Sequence, residues 1–303
     1  MNAGKKLAGT PEPRHFWTGA GGIKLAGDSW GEPNAPLVVL QHGGGQTRHA
    51  WKGAGERLAT AGYYAIAFDA RGHGDSDWAP DGRYDHAVMV EDLKCLLSGL
   101  GARRPALVGA SMGGGTSLVA VGDGHLDATA LVLVDVAPRL EPDGVTKINT
   151  FMTGHPNGFA SLEEVAEAIA GYQPQRERPR TLDGLGKNVR LGADGRYRWH
   201  WDPKFKQSPQ YDLVKRQQQL EACARNLQVP TLLVRGGMSD VLTEEGAREF
   251  LRLCPDCEYV SVANAAHMVA GDRNDIFANA AIGFLKRVVP VAQRVSAHRV
   301  NTS

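Results

Sequence analysis

Six short apolar runs, Leu37 to Gln41, Tyr63 to Asp69, Pro105 to Ala110, Ala130 to Val136, Thr231 to Gly236 and Glu258 to Val262, are spaced by stretches long enough for helices. Leu37-Val38-Val39-Leu40 and Leu131-Val132-Leu133-Val134 show no polar alternation, so both faces of such strands must be covered. A mostly parallel, doubly wound sheet with helices on either side meets that requirement and predicts an α/β fold. One intervening helix is expected over Asp85 to Leu100, where Val88, Leu93, Leu96, Leu97 and Leu100 fall near helical spacing before a stop at Gly101. Arg14 to Trp30 reads as a lead-in antiparallel hairpin turning at Gly19-Ala20-Gly21-Gly22.

From Ala137 to about Leu220 the alternation stops. Prolines, glycines and charges enter, together with the aromatic cluster Tyr197-Arg198-Trp199-His200-Trp201-Asp202-Pro203. This predicts a core of residues 1–136 and 221–303 interrupted by a mostly helical cap, 137–220. The tail beyond about Pro290 shows weak periodicity and is expected to fray.

The 34 basic and 33 acidic residues are interspersed, which argues against nucleic acid or an anionic membrane as a partner and for a small molecule. Self-association is left open. Four cysteines, Cys95, Cys223, Cys254 and Cys257, make no disulfide framework. Cys254-Pro255-Asp256-Cys257 lacks the second pair a zinc site needs, and reads as a helix-to-strand turn. Met1 to Thr10 is followed by no signal-like apolar run, and nowhere do about 18 consecutive apolar residues occur. A cytoplasmic protein is the expectation.

The strongest chemical signal is Gly109-Ala110-Ser111-Met112-Gly113, placed directly after the strand Ala106-Leu107-Val108 and before the helix opening Gly114-Gly115-Thr116. A sharp strand-to-helix turn strains its middle residue and exposes the serine hydroxyl, while small residues two positions away let backbones approach. Serine is a poor nucleophile by itself, so Ser111 needs a base, and the base needs a partner that fixes its tautomer.

Three further segments complete a resemblance to the α/β-hydrolase family: His42-Gly43-Gly44-Gly45 after an early strand, Gly237-Met238-Ser239-Asp240 after a late one, then Ala266-His267-Met268. It covers nearly the whole chain outside the cap. It implies a triad of nucleophile Ser111, acid Asp240 and base His267 in the family's chain order, with Asp135 at the end of an earlier strand as rival for the acid. It also implies an oxyanion hole from the amides of Gly44 and Met112, and the triad chemistry needs no cofactor. His42 is expected to brace the oxyanion loop and to contact the substrate, and no His-x-x-x-His or clustered Asp set suggests a catalytic metal. Asp69-Ala70-Arg71-Gly72-His73-Gly74-Asp75-Ser76 matches a structural loop of the family, and His73 is not expected to be catalytic.

His267 to Asp275 is similar to a branch that includes esterases, cofactor-free haloperoxidases and epoxide hydrolases. Epoxide hydrolases and haloalkane dehalogenases carry an aspartate at the elbow, so Ser111 points away from both and toward an acyl-enzyme. A carboxylic-ester hydrolase is the resulting expectation. Lactone hydrolysis, carbon–carbon cleavage and peracid formation stay open with the same triad, as does a non-catalytic ligand-binding relative. Within the cap, Trp199, Trp201, Tyr197 and Phe205 are candidates either to contact an apolar acyl or alcohol group of the substrate or to form the cap's own small core, and His200 is a candidate to line the cap pocket. No carboxylate pair suggests a glycosidase, and no Gly-Lys-Ser follows Gly113-Gly114-Gly115 to make a phosphate loop.

Overall fold

The computed structural model describes residues 3–101, 103–172, 182–207, 213–263, 265–267 and 274–291. The strands are β1 (His15–Thr18), β2 (Lys24–Trp30), β3 (Leu37–Gln41), β4 (Tyr64–Phe68), β5 (Ala106–Ala110), β6 (Ala130–Val134), β7 (Val189–Leu191), β8 (Tyr197–Trp199), β9 (Thr231–Gly236) and β10 (Glu258–Val262). Eight of them form one sheet in the order β1-β2-β4-β3-β5-β6-β9-β10. From β4 to β10 the pairing is parallel, and β1 and β2 add antiparallel at one edge.

The helices are α1 (Lys52–Thr60), α2 (His86–Gly99), α3 (Met112–Gly122), α4 (Pro142–Thr153), α5 (Leu162–Tyr172), α6 (Lys204–Gln207), α7 (Leu213–Arg225), α8 (Glu244–Leu253) and α9 (Asn274–Val288). Alternate residues of β3 face opposite ways. Leu37 and Val39 pack with Leu93 of α2, Leu118 of α3, Leu220 of α7 and Phe250 of α8, while Val38 and Leu40 pack with Leu58 of α1 and Phe284 of α9. Two helical layers therefore cover both faces, which is why the strands carry unbroken apolar runs. Asp85 caps α2, its carboxylate accepting from the Val88 amide at 3.0 Å.

The strands match the expected runs to within two residues, and β6 stops earlier than expected because Asp135 turns to φ 50°. The cap departs more. It combines α4, α5 and α6 with an antiparallel β7–β8 hairpin. The expected return to the core at 221 falls inside α7, whose Leu220, Cys223 and Ala224 are already core residues. Cys223 presses on Gly122, where a Cβ would come within 2.5 Å of it. The Cys254–Cys257 stretch is the turn from α8 to β10. The tail expected to fray, 292–303, lies outside the described residues. No helix among the described residues is long and apolar enough to cross a membrane.

Candidate active site

Ser111 stands between β5 and α3 with φ 46° and ψ −110°, a conformation that non-glycine residues rarely adopt. Its amide donates to Val134 O at 3.0 Å and its carbonyl accepts from Gly115 N at 2.8 Å, so the strain is held from both sides. Two glycines make room for the turn. A Cβ on Gly109 would lie 2.4 Å from Gly113 O, and one on Gly113 would lie 2.5 Å from Gln41 O. Met112 opens α3, so its amide has no intrahelical acceptor.

The loop after β3 lies against this elbow, with Gly113 N donating to His42 O at 3.2 Å. Its flanking amides are engaged: Gly43 N donates to Gln46 Oε1 at 2.9 Å and Gly45 N to His73 Nε2 at 3.1 Å. Among the described residues no acceptor takes the Gly44 amide, and both Gly44 and Met112 face the same cavity as Ser111.

Three buried histidines hold this loop, each accepting from one backbone amide and donating to one backbone carbonyl. His42 Nε2 accepts from Ala70 N at 2.9 Å, so Nδ1–H donates to Gly43 O at 2.8 Å. His73 Nε2 accepts from Gly45 N, leaving Nδ1–H for Arg71 O at 3.1 Å. His200 Nδ1 accepts from Gly74 N at 2.8 Å, and Nε2–H reaches Gly45 O at 3.2 Å. Burial lowers the pKa of all three, that of His73 to about 3, so each ring is neutral and its tautomer is set by the backbone.

His267 is carried by the loop after β10, which leans on the exit of β9: Met238 N donates to Ala265 O at 2.8 Å and Gly237 N to Val262 O at 2.9 Å. Its Nδ1 lies 2.6 Å from Asp135 Oδ2. Asp135, fully buried, also accepts from Gly236 N at 2.9 Å and from Ser239 Oγ at 2.5 Å. A carboxylate only accepts, so His267 carries its proton on Nδ1 and presents Nε2 as a base. Ser111 and His267 share the wall of a cavity of about 940 Å³. Among the described residues, no hydrogen bond joins them directly, as is common before substrate tightens such a pair.

The residue pattern of the serine aminopeptidase, S33, family matches residues 32–274. The chain is an α/β-hydrolase of this family. An esterase of Mycobacterium tuberculosis, Rv0045c, is 28% identical over 250 residues, 80% of each chain. A 3-hydroxybutyrate-oligomer hydrolase of Cupriavidus necator is 27% identical over 263 residues, 82% of this chain and 88% of that one. The crystal structure of E-2-(acetamidomethylene)succinate hydrolase matches with a TM-score of 0.78 over 90% of this chain and 100% of that one, at 24% identity, a likeness of fold. With relatives named esterase and hydrolase along four-fifths of its length, this α/β-hydrolase is an enzyme of the hydrolase class.

In the hydrolase three sequence expectations are corrected. Asp240 does not meet His267; it is about half exposed and its Oδ2 accepts from Lys147 Nζ at 2.7 Å. It lies four residues beyond the end of β9, and Ser239 is the side chain that turns inward there. Asp135 follows β6 directly and occupies the position facing the histidine. His42, expected at the substrate's edge, has both ring nitrogens committed to backbone and is not on the cavity wall. His200 likewise staples loops instead of lining the pocket.

Trp199 and Trp201 do both things proposed for them: stacked at 5.0 Å, they belong to the cap's own core and also line the cavity, as does Phe205. Tyr197 is on the β8 edge and not on the wall. Residues 268–273 of the His267–Asp275 motif lie outside the described residues. Sequence reasoning missed Ser239 as a partner of Asp135, although it stood inside the quoted Gly237–Asp240 segment, and missed Lys187 on the cavity wall, for which no sequence signal existed.

Proposed function

We propose that this enzyme cleaves a small carboxylic ester through an acyl-enzyme on Ser111, with His267 as general base and Asp135 as the group that orients it. The observation that carries the reading is the 2.6 Å Asp135–His267 bond behind a cavity whose wall also holds the strained Ser111. Ser111 Oγ attacks the ester carbonyl and His267 Nε2 takes its proton. The oxyanion that develops lies against the Gly44 and Met112 amides, where each donor of this kind typically contributes about 3 to 4 kcal/mol to the transition state. His267 then protonates the departing alcohol, and water, deprotonated by the same nitrogen, releases the acid. The names esterase and hydrolase among the relatives favour ester over other acyl chemistry.

The test is hydrolysis of a panel of 4-nitrophenyl esters by wild type, Ser111→Ala and His267→Ala, with a fluorophosphonate probe read by mass spectrometry. Both variants are expected to lose at least about 10⁴-fold in kcat, by analogy with other serine hydrolases, and the probe to label Ser111. A folded wild type whose Ser111 resists the probe, or a Ser111→Ala that retains turnover, overturns the reading.

A further inference from the structure

The cavity wall is electrostatically lopsided. Among the described residues it carries four cations and one carboxylate, Asp85, which is occupied as the cap of α2; Lys206, Lys215 and Arg216 each engage partners of their own, and Lys187 is the fourth cation. Lys187 is half-buried and has no carboxylate partner among the described residues. It is also held in place. It ends the single turn Asp183–Lys187, and the carbonyl of the next residue, Asn188, accepts from His200 N at 3.1 Å, the same His200 that grips Gly45 O. The backbone next to Lys187 is thus linked through His200 to the loop bearing the Gly44 amide. His49 shares that part of the wall, and burial together with the nearby cations lowers its pKa to about 4, so it is neutral and available as a hydrogen-bond donor.

Ile148, Phe151, Met152, Trp199 and Trp201 give the cap side of the wall an apolar stretch, beside the polar Asn149. A wholly apolar ester would fill that half and displace water from the half-buried ammonium without supplying a counter-charge, which costs free energy. Resting on the ester-hydrolase reading above, we propose that the substrate is a carboxylate-bearing ester, its apolar part against the cap aromatics and its carboxylate received by Lys187. With Lys206, Lys215 and Arg216 engaged elsewhere, the Lys187 ammonium beside a neutral imidazole balances a single negative charge, which favours a carboxylate over a phosphate dianion.

The test compares esters matched in size and differing in charge: 4-nitrophenyl hydrogen adipate against its methyl ester, for an anion on the acyl side, and 4-butyryloxybenzoate against its methyl ester, for one on the alcohol side. A charge-assisted contact in a part-buried site predicts a kcat/KM preference for the anionic member of about 10- to 100-fold in at least one pair. In Lys187→Met the preference should collapse toward unity, mainly through KM, and Lys187→Arg should restore most of it; each ratio is internal to one variant, so a loss of folded protein cannot mimic the result. A wild type without preference in either pair, or a preference that survives in Lys187→Met, overturns the proposal. Turnover of the neutral esters by Ser111→Ala would instead overturn the reading of Ser111 as the nucleophile. Should no ester be turned over, the readout becomes protection of Ser111 from the fluorophosphonate by adipic acid monoanilide, which must exceed that by its methyl ester in wild type and not in Lys187→Met.

Discussion

Two aspartates leave the sheet at neighbouring strand ends, and they could hardly differ more. Asp135 follows β6 without a gap, is fully buried, and receives three donors: the Gly236 amide, the Ser239 hydroxyl and His267 Nδ1. Asp240 lies four residues past β9, is about half exposed, and pairs with Lys147 at the surface. A buried carboxylate with both oxygens committed is a fixed acceptor that selects one tautomer of its histidine. An exposed one is a solvated charge whose ion pair is worth little.

The sharpest way to break this contrast is to neutralise each aspartate in turn. Asp135→Asn keeps the shape but offers His267 an amide that no longer demands a proton on Nδ1. The wrong tautomer then leaves Nε2 without its lone pair, as in serine proteases, where the same exchange costs about 10⁴-fold in kcat. Ester hydrolysis by Asp135→Asn is therefore expected to fall by about that factor, with near-normal labelling of Ser111 excluded; a variant within tenfold of wild type would remove Asp135 from the mechanism.

The same division separates the histidines. His73 is fully buried and bonded at both nitrogens, whereas His125 is exposed. The folded-state pKa of His73, about 3, lies below the ordinary 6.5, so the fold favours the neutral ring. Its contribution is complete above pH 6.5 and is lost as pH falls through the window from 6.5 toward 3. Within that window each such ring that must take up a proton on unfolding adds about 1.4 kcal/mol per pH unit to the slope of stability. Urea unfolding at pH 6, 5 and 4 should show His73→Asn with a shallower slope than wild type. Parallel slopes for the two would mean that His73 is protonated in the fold.

The strands, the elbow and the place of Ser111 were legible because they are local: unbroken apolar runs, a motif wedged between strand and helix, glycines where backbones touch. The acid was not, because the choice between Asp135 and Asp240 depends on where each chain segment turns after its strand. Asp135 adopts φ 50° immediately and keeps its amide on Val234 O, while the β9 exit spends three residues on a turn that buries Ser239. Those are relations between neighbouring strands, and no spacing within either segment encodes them. The cap was the least legible. Its walls join the 140s, the 180s and the 200s, and the cationic bias of the cavity exists only once Lys187 and Lys206 face the same space.

Ser239 offers a way to sharpen the contrast without touching either aspartate. Its hydroxyl donates to Asp135 Oδ2 and accepts from the Val241 and Leu242 amides at 3.2 and 3.1 Å. Ser239→Ala removes one of the three bonds that aim the carboxylate and leaves two amides without that acceptor, a change that costs about 1–3 kcal/mol when such groups are buried. A fall in kcat of about tenfold at unchanged KM is expected, with partial return in Ser239→Thr. A change in thermal stability with kcat intact would make the residue purely structural.

The smallest effect belongs to Asp240 itself. Its backbone is tightly placed, since a Cβ on Gly144 of α4 would lie 2.2 Å from Asp240 O. Among the described residues its side chain reaches only Lys147, and that exposed pair is worth at most about 1 kcal/mol and less at high salt. Asp240→Asn preserves the backbone and removes the charge alone, so kcat/KM should stay within about threefold of wild type and stability within about 1 kcal/mol. Measured beside Asp135→Asn on one ester, a loss comparable to that variant's would mean that the loops after β9 and β10 rearrange during turnover and bring Asp240 to His267, whereas a silent Asp240→Asn leaves the β6 aspartate as the partner of the histidine throughout the reaction.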